Sequence, residues 1–249
     1  MTESLYNKIN SRSEQGQKQL AVLIDPDKFH STKIIELANE TGVDYLFVGG
    51  SLLTSGSLDA TLESIKKITS IPIILFPGSV MQISNKADAL MFLSLISGRN
   101  PELLIGQHVI AAPALKASGL EILPTGYILV DGGKPTTASY ISNTLPVPSD
   151  KPEIASCTAL AGEMLGLKLI YLDAGSGAIK PVSSTMIAQV KNTVKIPLIV
   201  GGGINTPEAA LQACSSGADV VVVGNALEKK PKLLQEISSS VHNSVLLSH

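Results

Sequence analysis

The sequence predicts a single α/β domain folded as an eight-stranded parallel (β/α)8 TIM barrel, and three observations point to it. Eight short aliphatic or β-branched runs alternate with longer amphipathic stretches, as expected for strands buried on both faces. The length of 249 residues suits one large barrel or two modest domains, and 44% hydrophobic against 16% charged residues supplies a sizeable core. A faint internal repeat favours the barrel. Ile71-Pro72-Ile73-Ile74-Leu75 resembles Ile196-Pro197-Leu198-Ile199-Val200, and each is followed by an Ala-Asp pair opening a new aliphatic run, Ala87-Asp88 and Ala218-Asp219. Units three and four thus echo units seven and eight, as two half-barrels would.

The strands are expected at Leu20–Asp25, Tyr45–Val48, Pro72–Phe76, Ala89–Leu93, Ile122–Asp131, Leu169–Asp173, Pro197–Val200 and Asp219–Val223. Helices are expected at Thr32–Thr41, Leu58–Thr69, Pro101–Ala117, Ile154–Leu165, Val182–Asn192 and Pro207–Ser216, with a last one from about Pro231. Thr206-Pro207 is a start signal, a hydroxyl at the N-cap before a proline whose fixed φ suits the first helical position. After the third strand, Pro77–Lys86 is short and contains Pro and Gly, so a loop or single turn replaces the third helix. Residues 1–19 form a polar N-terminal extension or helix, and 1–249 read as one domain.

Composition excludes several classes. Nineteen Lys and Arg against twenty-one Asp and Glu leave a formal charge of −2, which gives no footprint for nucleic acid and no pull toward anionic lipid. Cys157 and Cys214 stand far apart, so neither a disulfide framework nor a zinc cluster is expected, and both read as small helix-packing residues in a reducing cytoplasm. Met1 to Gln19 lacks the apolar core of a signal peptide, and no stretch reaches the roughly eighteen apolar residues of a membrane span. A cytoplasmic protein without stable membrane insertion is the expectation.

Barrel chemistry sits at the carboxyl ends of the strands. Three Gly-rich turns follow strands six, seven and eight: Tyr171-Leu172-Asp173-Ala174-Gly175-Ser176-Gly177, Gly201-Gly202-Gly203-Ile204-Asn205 and Gly224-Asn225-Ala226. Glycine lets backbone N–H groups close on an anion, so the three turns describe a phosphate cup, although any one of them could be only a tight turn. Across the mouth, strand one ends in Asp25-Pro26-Asp27-Lys28 and strand two in Gly49-Gly50-Ser51. The Asp25 carboxylate and Ser51 hydroxyl could hold Mg²⁺ with substrate phosphates completing an octahedron, or Asp25 could simply cap a turn. Lys28 could screen a diphosphate, though a solvated side chain is favoured. Asp173 could bind and deprotonate a hydroxyl of a phosphorylated polyol, or cap its own loop. His108 falls within a helix of the outer ring, where packing or exposure is expected.

Taken together, residues 171–178, 200–204 and 222–225, with Leu23–Lys28 and Val48–Ser51, resemble the geranylgeranylglyceryl phosphate synthase family over nearly the whole chain. The runs Ser97–Pro101, Gly106–Val109 and Thr125–Gly133 resemble its group II, as a bacterial-type member, more than the shorter bacterial heptaprenyl enzymes. The resemblance implies an Mg²⁺-dependent prenyltransferase of ether phospholipid biosynthesis that joins sn-glycerol 1-phosphate to a prenyl diphosphate, geranylgeranyl diphosphate being the expected donor. It places Asp25 and Ser51 at the metal or diphosphate site. Tyr171, Leu172, Asp173, Ala174, Gly175, Ser176, Gly177, Gly202, Gly203, Gly224 and Asn225 fall at the glycerol-phosphate site, with Asp173 catalytic. It also implies a homo-oligomer, a dimer or hexamer, and a barrel lacking a full third helix. Two departures stand out: the family's usual Glu is the shorter Asp173 here, and the Lys of the short relatives is Leu23. The alternatives are another phosphate-binding barrel enzyme acting on a phospho-sugar, and a non-catalytic phosphate-ligand binding protein.

Overall fold

The computed structural model describes residues 3–244. Eight parallel strands close into a barrel in chain order: β1 (Gln19–Ile24), β2 (Tyr45–Val48), β3 (Ile73–Leu75), β4 (Ala89–Leu95), β5 (Glu121–Leu129), β6 (Leu169–Asp173), β7 (Leu198–Gly201) and β8 (Val220–Val223). The final pairing, Leu20 beside Val221 and Val22 beside Val223, joins β1 to β8. The expected fold and all eight strands are present. The helices are α1 (Leu5–Glu14), α2 (Lys33–Thr41), α3 (Leu58–Lys66), α4 (Gln107–Ser118), α5 (Thr137–Ser142), α6 (Pro152–Met164), α7 (Ser184–Thr193), α8 (Pro207–Ser215), α9 (Asn225–Lys229) and α10 (Leu233–His242). Thr206 caps α8 by accepting from the Ala209 amide at 3.2 Å, with Pro207 at its first turn, as the sequence predicts.

No helix joins β3 to β4; the chain crosses that interval in turns and loops. Three features go beyond the sequence reading. The expected helix at 101–117 begins as a π-helical turn over Glu102–Gly106 before α4. The short helices α5 and α9 follow β5 and β8. The polar N-terminus takes the helical alternative of that reading, as α1, and the third feature is that Ile9 from its buried face joins the cluster inside the barrel.

Side-chain direction alternates along each strand and divides the core in two. Val22, Leu46, Ile128, Ile170, Leu172 and Val200 face outward and pack with the helices. Ala21, Phe47, Tyr127, Tyr171, Ile199 and Val222 face inward and fill the barrel. This alternation decides which residues can reach the mouth.

At the amino ends of the strands, one device recurs. Asp88 accepts from the Ile73 amide at 2.8 Å and from Lys66 Nζ at 3.1 Å. Asp219 accepts from the Leu198 amide at 2.8 Å and from Lys191 Nζ at 2.6 Å. These are the aspartates of the two Ala-Asp pairs, so the faint repeat has a structural meaning: each satisfies the first amide of the preceding strand and balances a cation from the helix that leads into that strand, Lys66 of α3 or Lys191 of α7. Asp44 repeats the motif, accepting from the Leu20 amide at 2.9 Å, from His242 Nε2 at 3.0 Å and from the Arg12 guanidinium. It ties α1, β1, β2 and α10 together.

Burial pushes the Asp44 carboxyl up, but the hydrogen bonds from His242 and the Leu20 amide and the charges of His242 and Arg12 outweigh it and hold the group below its ordinary value. Its contribution to stability is therefore complete above the unfolded-state value near pH 4 and is lost as pH falls through the depressed folded value. Asp44→Ala is expected to cost about 1–3 kcal/mol in chemical denaturation at pH 7 and to flatten the acid limb of stability; an unchanged midpoint and limb would contradict this reading.

Candidate active site

Two clusters of loops face one another across the barrel mouth. On one side are the turns after β6, β7 and β8. Asp173 ends β6 with the same inward parity as Tyr171, so its side chain enters the barrel, where it is buried. One carboxylate oxygen accepts from Tyr127 Oη at 2.5 Å and the other from the Gly175 amide at 2.7 Å. Burial raises the pKa of Asp173, opposed by those two donors. Beneath it lie three aromatic rings. Tyr127 and Tyr171 meet edge to face at 5.5 Å, and Phe76 stands 5.9 Å and 5.3 Å from them.

The glycines bring the turns together. A Cβ on Gly202 would fall 2.6 Å from both Asp173 Oδ1 and the Gly175 nitrogen and 2.7 Å from the Ala174 nitrogen, and φ there is +80°. No other residue fits both that contact and that backbone conformation. Gly203 abuts the backbone of Lys180 and Pro181. Asn225, which opens α9, donates to Ser176 Oγ at 2.9 Å and joins the β8 turn to the β6 turn. The three expected phosphate-binding turns are thus contiguous. Leu172 is the exception in side-chain terms: it faces outward into the helix layer, so only its backbone belongs to the mouth.

On the other side are the turns after β1, β2 and β3. Asp25 caps a short 3-10 turn, accepting from the Asp27 amide at 3.0 Å, and its second oxygen lies 3.2 Å from Lys28 Nζ. Lys28 also reaches Glu228 at 3.3 Å, so it is ion-paired rather than merely solvated. Asp25 Oδ1 stands 3.7 Å from a Cβ placed on Gly50, next to Ser51. The capping role of Asp25 is therefore present, and its carboxylate also faces the β2 turn. Asp27 accepts from the amides of Thr54, Ser55 and Gly56 at 2.7, 3.1 and 2.6 Å, hydrogen bonds that hold its pKa far below the ordinary carboxylate range and fix one turn to the next.

Between these clusters an apolar groove leaves the mouth through the sector where the third helix is missing. Phe76, Val80, Ile83, Leu93, Leu103 and Ala111 are among its walls, and its lining extends to Gly50, Ser51 and Tyr127. His108 also lines it. It is buried, with Nε2 3.1 Å from Ser94 Oγ and its ring edge-on to Phe92 at 4.4 Å, and burial lowers its pKa. Of the cysteines, Cys214 packs as expected, whereas Cys157 is exposed on α6.

Two site residues escape a motif reading. Tyr127 lies within the Thr125–Gly133 run that carries the resemblance, but nothing in that run marks it as a site residue apart from its inward parity on β5. Gln82 is buried in the β3–β4 connection and grips both backbone groups of Gly50, donating to the carbonyl at 2.8 Å and accepting from the amide at 3.4 Å.

A closed parallel barrel with contiguous glycine turns and an inward carboxylate defines a phosphate-binding barrel enzyme, here with an apolar groove at its mouth. The chain belongs to the PcrB family, whose model matches residues 13–241. It is 55% identical over 245 residues to a geranylgeranylglyceryl phosphate synthase of Chitinophaga pinensis, spanning 97% of each chain. A synthase of the same name from Thermococcus gammatolerans is 43% identical over 230 residues, covering 88% of this chain and 90% of its own. Among solved structures, (S)-3-O-geranylgeranylglyceryl phosphate synthase from Thermoplasma acidophilum, in complex with its substrate sn-glycerol-1-phosphate, superposes with a TM-score of 0.89 at 33% identity, covering 97% of this chain and all of that one. A thiamine phosphate pyrophosphorylase from Pyrococcus furiosus, at 15% identity and TM-score 0.61, shares the fold alone.

Ionising a buried carboxylate works against folding, so the Asp173 contribution is most favourable below the unfolded-state value near pH 4 and declines as pH rises through its raised folded value. Asp173→Asn removes the charge but keeps only one acceptor for the two donors, Tyr127 and the Gly175 amide, so its stability at a single pH mixes the two effects. The pH dependence separates them: stability of Asp173→Asn relative to the parent is expected to rise between about pH 4 and pH 7 as the parent carboxyl ionises, and a difference that does not change with pH would show that ionising Asp173 costs the fold nothing.

Proposed function

We propose that the protein is a prenyltransferase of ether phospholipid biosynthesis, joining sn-glycerol 1-phosphate to geranylgeranyl diphosphate, or another long-chain prenyl diphosphate, through an ether bond with release of diphosphate. The observation that carries this reading is the junction of an apolar groove and a phosphate cup at the Tyr127–Asp173 pair. A phospho-sugar enzyme has no use for such a groove. A passive binder has no use for a carboxylate held under cover, beside the cup, at a cost to stability.

The cup fixes the glycerol phosphate, and Asp173 orients a glycerol hydroxyl toward C1 of the allylic donor. As the C1–O bond to diphosphate breaks, the hydroxyl oxygen bonds to C1 and Asp173 accepts its proton. Partial positive charge on the allylic carbons meets the aromatic rings of Phe76 and Tyr127, which line the inner groove. The tail lies along the groove, where each buried methylene contributes about 0.8 kcal/mol, so groove length selects chain length.

The Asp25 and Ser51 oxygens suit Mg²⁺ shared with the diphosphate, since they are hard donors and, among the described residues, no group of three His, Cys, Asp or Glu forms a self-sufficient cage. When bound, such an ion offsets charge on the departing diphosphate. The unpaired cysteines fit a cytoplasmic setting, and no helix among the described residues is long and apolar enough to cross a membrane. A homo-oligomer, dimer or hexamer, would use the outward side of the Glu102–Ser118 helical segment, where Ile105, Val109 and Ile110 are exposed beside small residues between the exposed charges of Glu102 and Lys116, and a second copy of the same face is the fitting occupant.

Purified protein incubated with labelled sn-glycerol 1-phosphate, prenyl diphosphates of several lengths and Mg²⁺ is expected to yield butanol-extractable label only with metal present. No label at any chain length would reject the reading. Asp25→Asn should abolish turnover yet leave glycerol-phosphate binding within about threefold, because the substrates occupy opposite sides of the mouth; equal loss of both would refute that division. For the oligomer, Val109→Lys with Ile110→Lys should shift the mass measured by light scattering to that of a monomer, and an unchanged multimer would move the interface elsewhere.

A further inference from the structure

A phosphomonoester carries close to two negative charges at neutral pH, whereas the three turns offer it only neutral donors, and the Asp173 carboxylate stands beside them. Backbone amides carry partial charge, so this arrangement leaves a dianion next to an anion without a counter-ion. The β5–α5 connection supplies one. Gly132 accepts at its carbonyl from the Ile179 amide at 2.9 Å and the Lys180 amide at 3.1 Å, which seats this connection against the β6 turn. A Cβ on Gly132 would lie 2.6 Å from the Ala174 carbonyl oxygen, so the seating is tight. Four residues on, buried Thr136 fills the space over Gly175, its Cγ2 2.6 Å from where a Cβ would sit, and caps α5.

Lys134 lies between these two anchors. Its Nζ falls 3.4 Å from the Cβ position of Gly177, and Asn225 Nδ2 falls 3.7 Å from the same point, so the ammonium and the amide converge on the open face of the cup. Lys134 is exposed, and among the described residues no carboxylate lies within 4.0 Å of that nitrogen. Its charge is therefore not committed elsewhere, unlike that of Lys28, which is held by Asp25 and Glu228.

We propose that Lys134 is the cationic binding residue of the glycerol-phosphate site, closing over the phosphate from the β5–α5 connection and offsetting the repulsion between that phosphate and Asp173. The proposal rests on the glycerol-phosphate reading of the cup. A lysine suits the role as a compact charge on a flexible stem that can fold over a ligand already gripped from below by amides.

Calorimetric titration of sn-glycerol 1-phosphate into the parent, Lys134→Met and Lys134→Arg proteins at several salt concentrations, alongside steady-state kinetics, tests it. Lys134→Met should bind glycerol phosphate about tenfold to a hundredfold more weakly, as loss of a charge-assisted contact does, with a shallower salt dependence than the parent. Its KM for glycerol phosphate should rise in step, with kcat and the KM for prenyl diphosphate within about twofold, and Lys134→Arg should recover most of the affinity. The melting temperature should not move, because the side chain is exposed. Equal affinity in parent and Lys134→Met would overturn the role of Lys134 and leave the glycerol-phosphate reading intact. Absence of binding by the parent itself would overturn that reading and this proposal together.

Discussion

A carboxylate that must be buried and yet usable is the constraint on which the rest of the mouth depends. Inward parity on β6 sends Asp173 into the barrel, and the same parity on β5 brings Tyr127 to meet it. With one oxygen fixed by a phenol and the other by the Gly175 amide, the group has a defined position but too few donors to restore its ordinary acidity. Everything nearby is shaped to that position. Gly202 has no side chain because a methyl would strike the carboxylate, and the β6 turn folds back so that its amide can donate. The stability given up in burying the group is the kind of local sacrifice that functional sites make.

Around that carboxylate the mouth divides into halves, each stitched by its own side chains. Asp27 binds the β1 turn to the β2 turn, and Gln82 binds the β2 turn to the β3 connection. Ser176 and Asn225 join the β6 and β8 turns on the far side. Lys28 spans the seam where unit one meets unit eight. In the proposed reaction two phosphorylated substrates would repel one another, and separately stitched halves of the mouth would hold their phosphates apart while the reacting carbon and hydroxyl meet. The missing third helix completes the division. A full helix between β3 and β4 would cover the wall where Phe76 and Leu93 line the groove, so the irregular unit is what opens the groove in which the proposed reaction would seat a hydrocarbon tail.

Much of this is legible in the sequence, for identifiable reasons. Strands buried on both faces read as unbroken aliphatic runs, so all eight are placed, with Tyr45–Val48 and Leu169–Asp173 matching to the residue. Strand-end motifs name Asp25, Ser51, Asp173 and the glycine turns because a barrel presents those positions at one face. The Ala-Asp repeat is visible because Asp88 and Asp219 do the same work for Ile73 and Leu198. What is hidden lies where function depends on distance rather than spacing. Tyr127 is 46 residues from Asp173, and the Thr125–Gly133 run that holds it does not single it out as a partner of that carboxylate. Gln82 stands in a segment that reads only as a loop, and Leu172 looks like its neighbours in the turn until strand parity turns it outward. The π-helical turn at Glu102–Gly106 carries no composition that separates it from the helix it precedes.

A crystal structure of the protein with sn-glycerol 1-phosphate and an unreactive thio-analogue of geranylgeranyl diphosphate tests the central claim most directly. The account requires the monoester phosphate against Gly175, Gly177, Gly203 and Asn225, a glycerol hydroxyl within hydrogen-bond distance of Asp173, the diphosphate beside Asp25 and Ser51, and the tail along the wall formed by Phe76 and Leu103. A monoester seated at Asp25, or a tail that leaves the barrel anywhere but between β3 and β4, would contradict it.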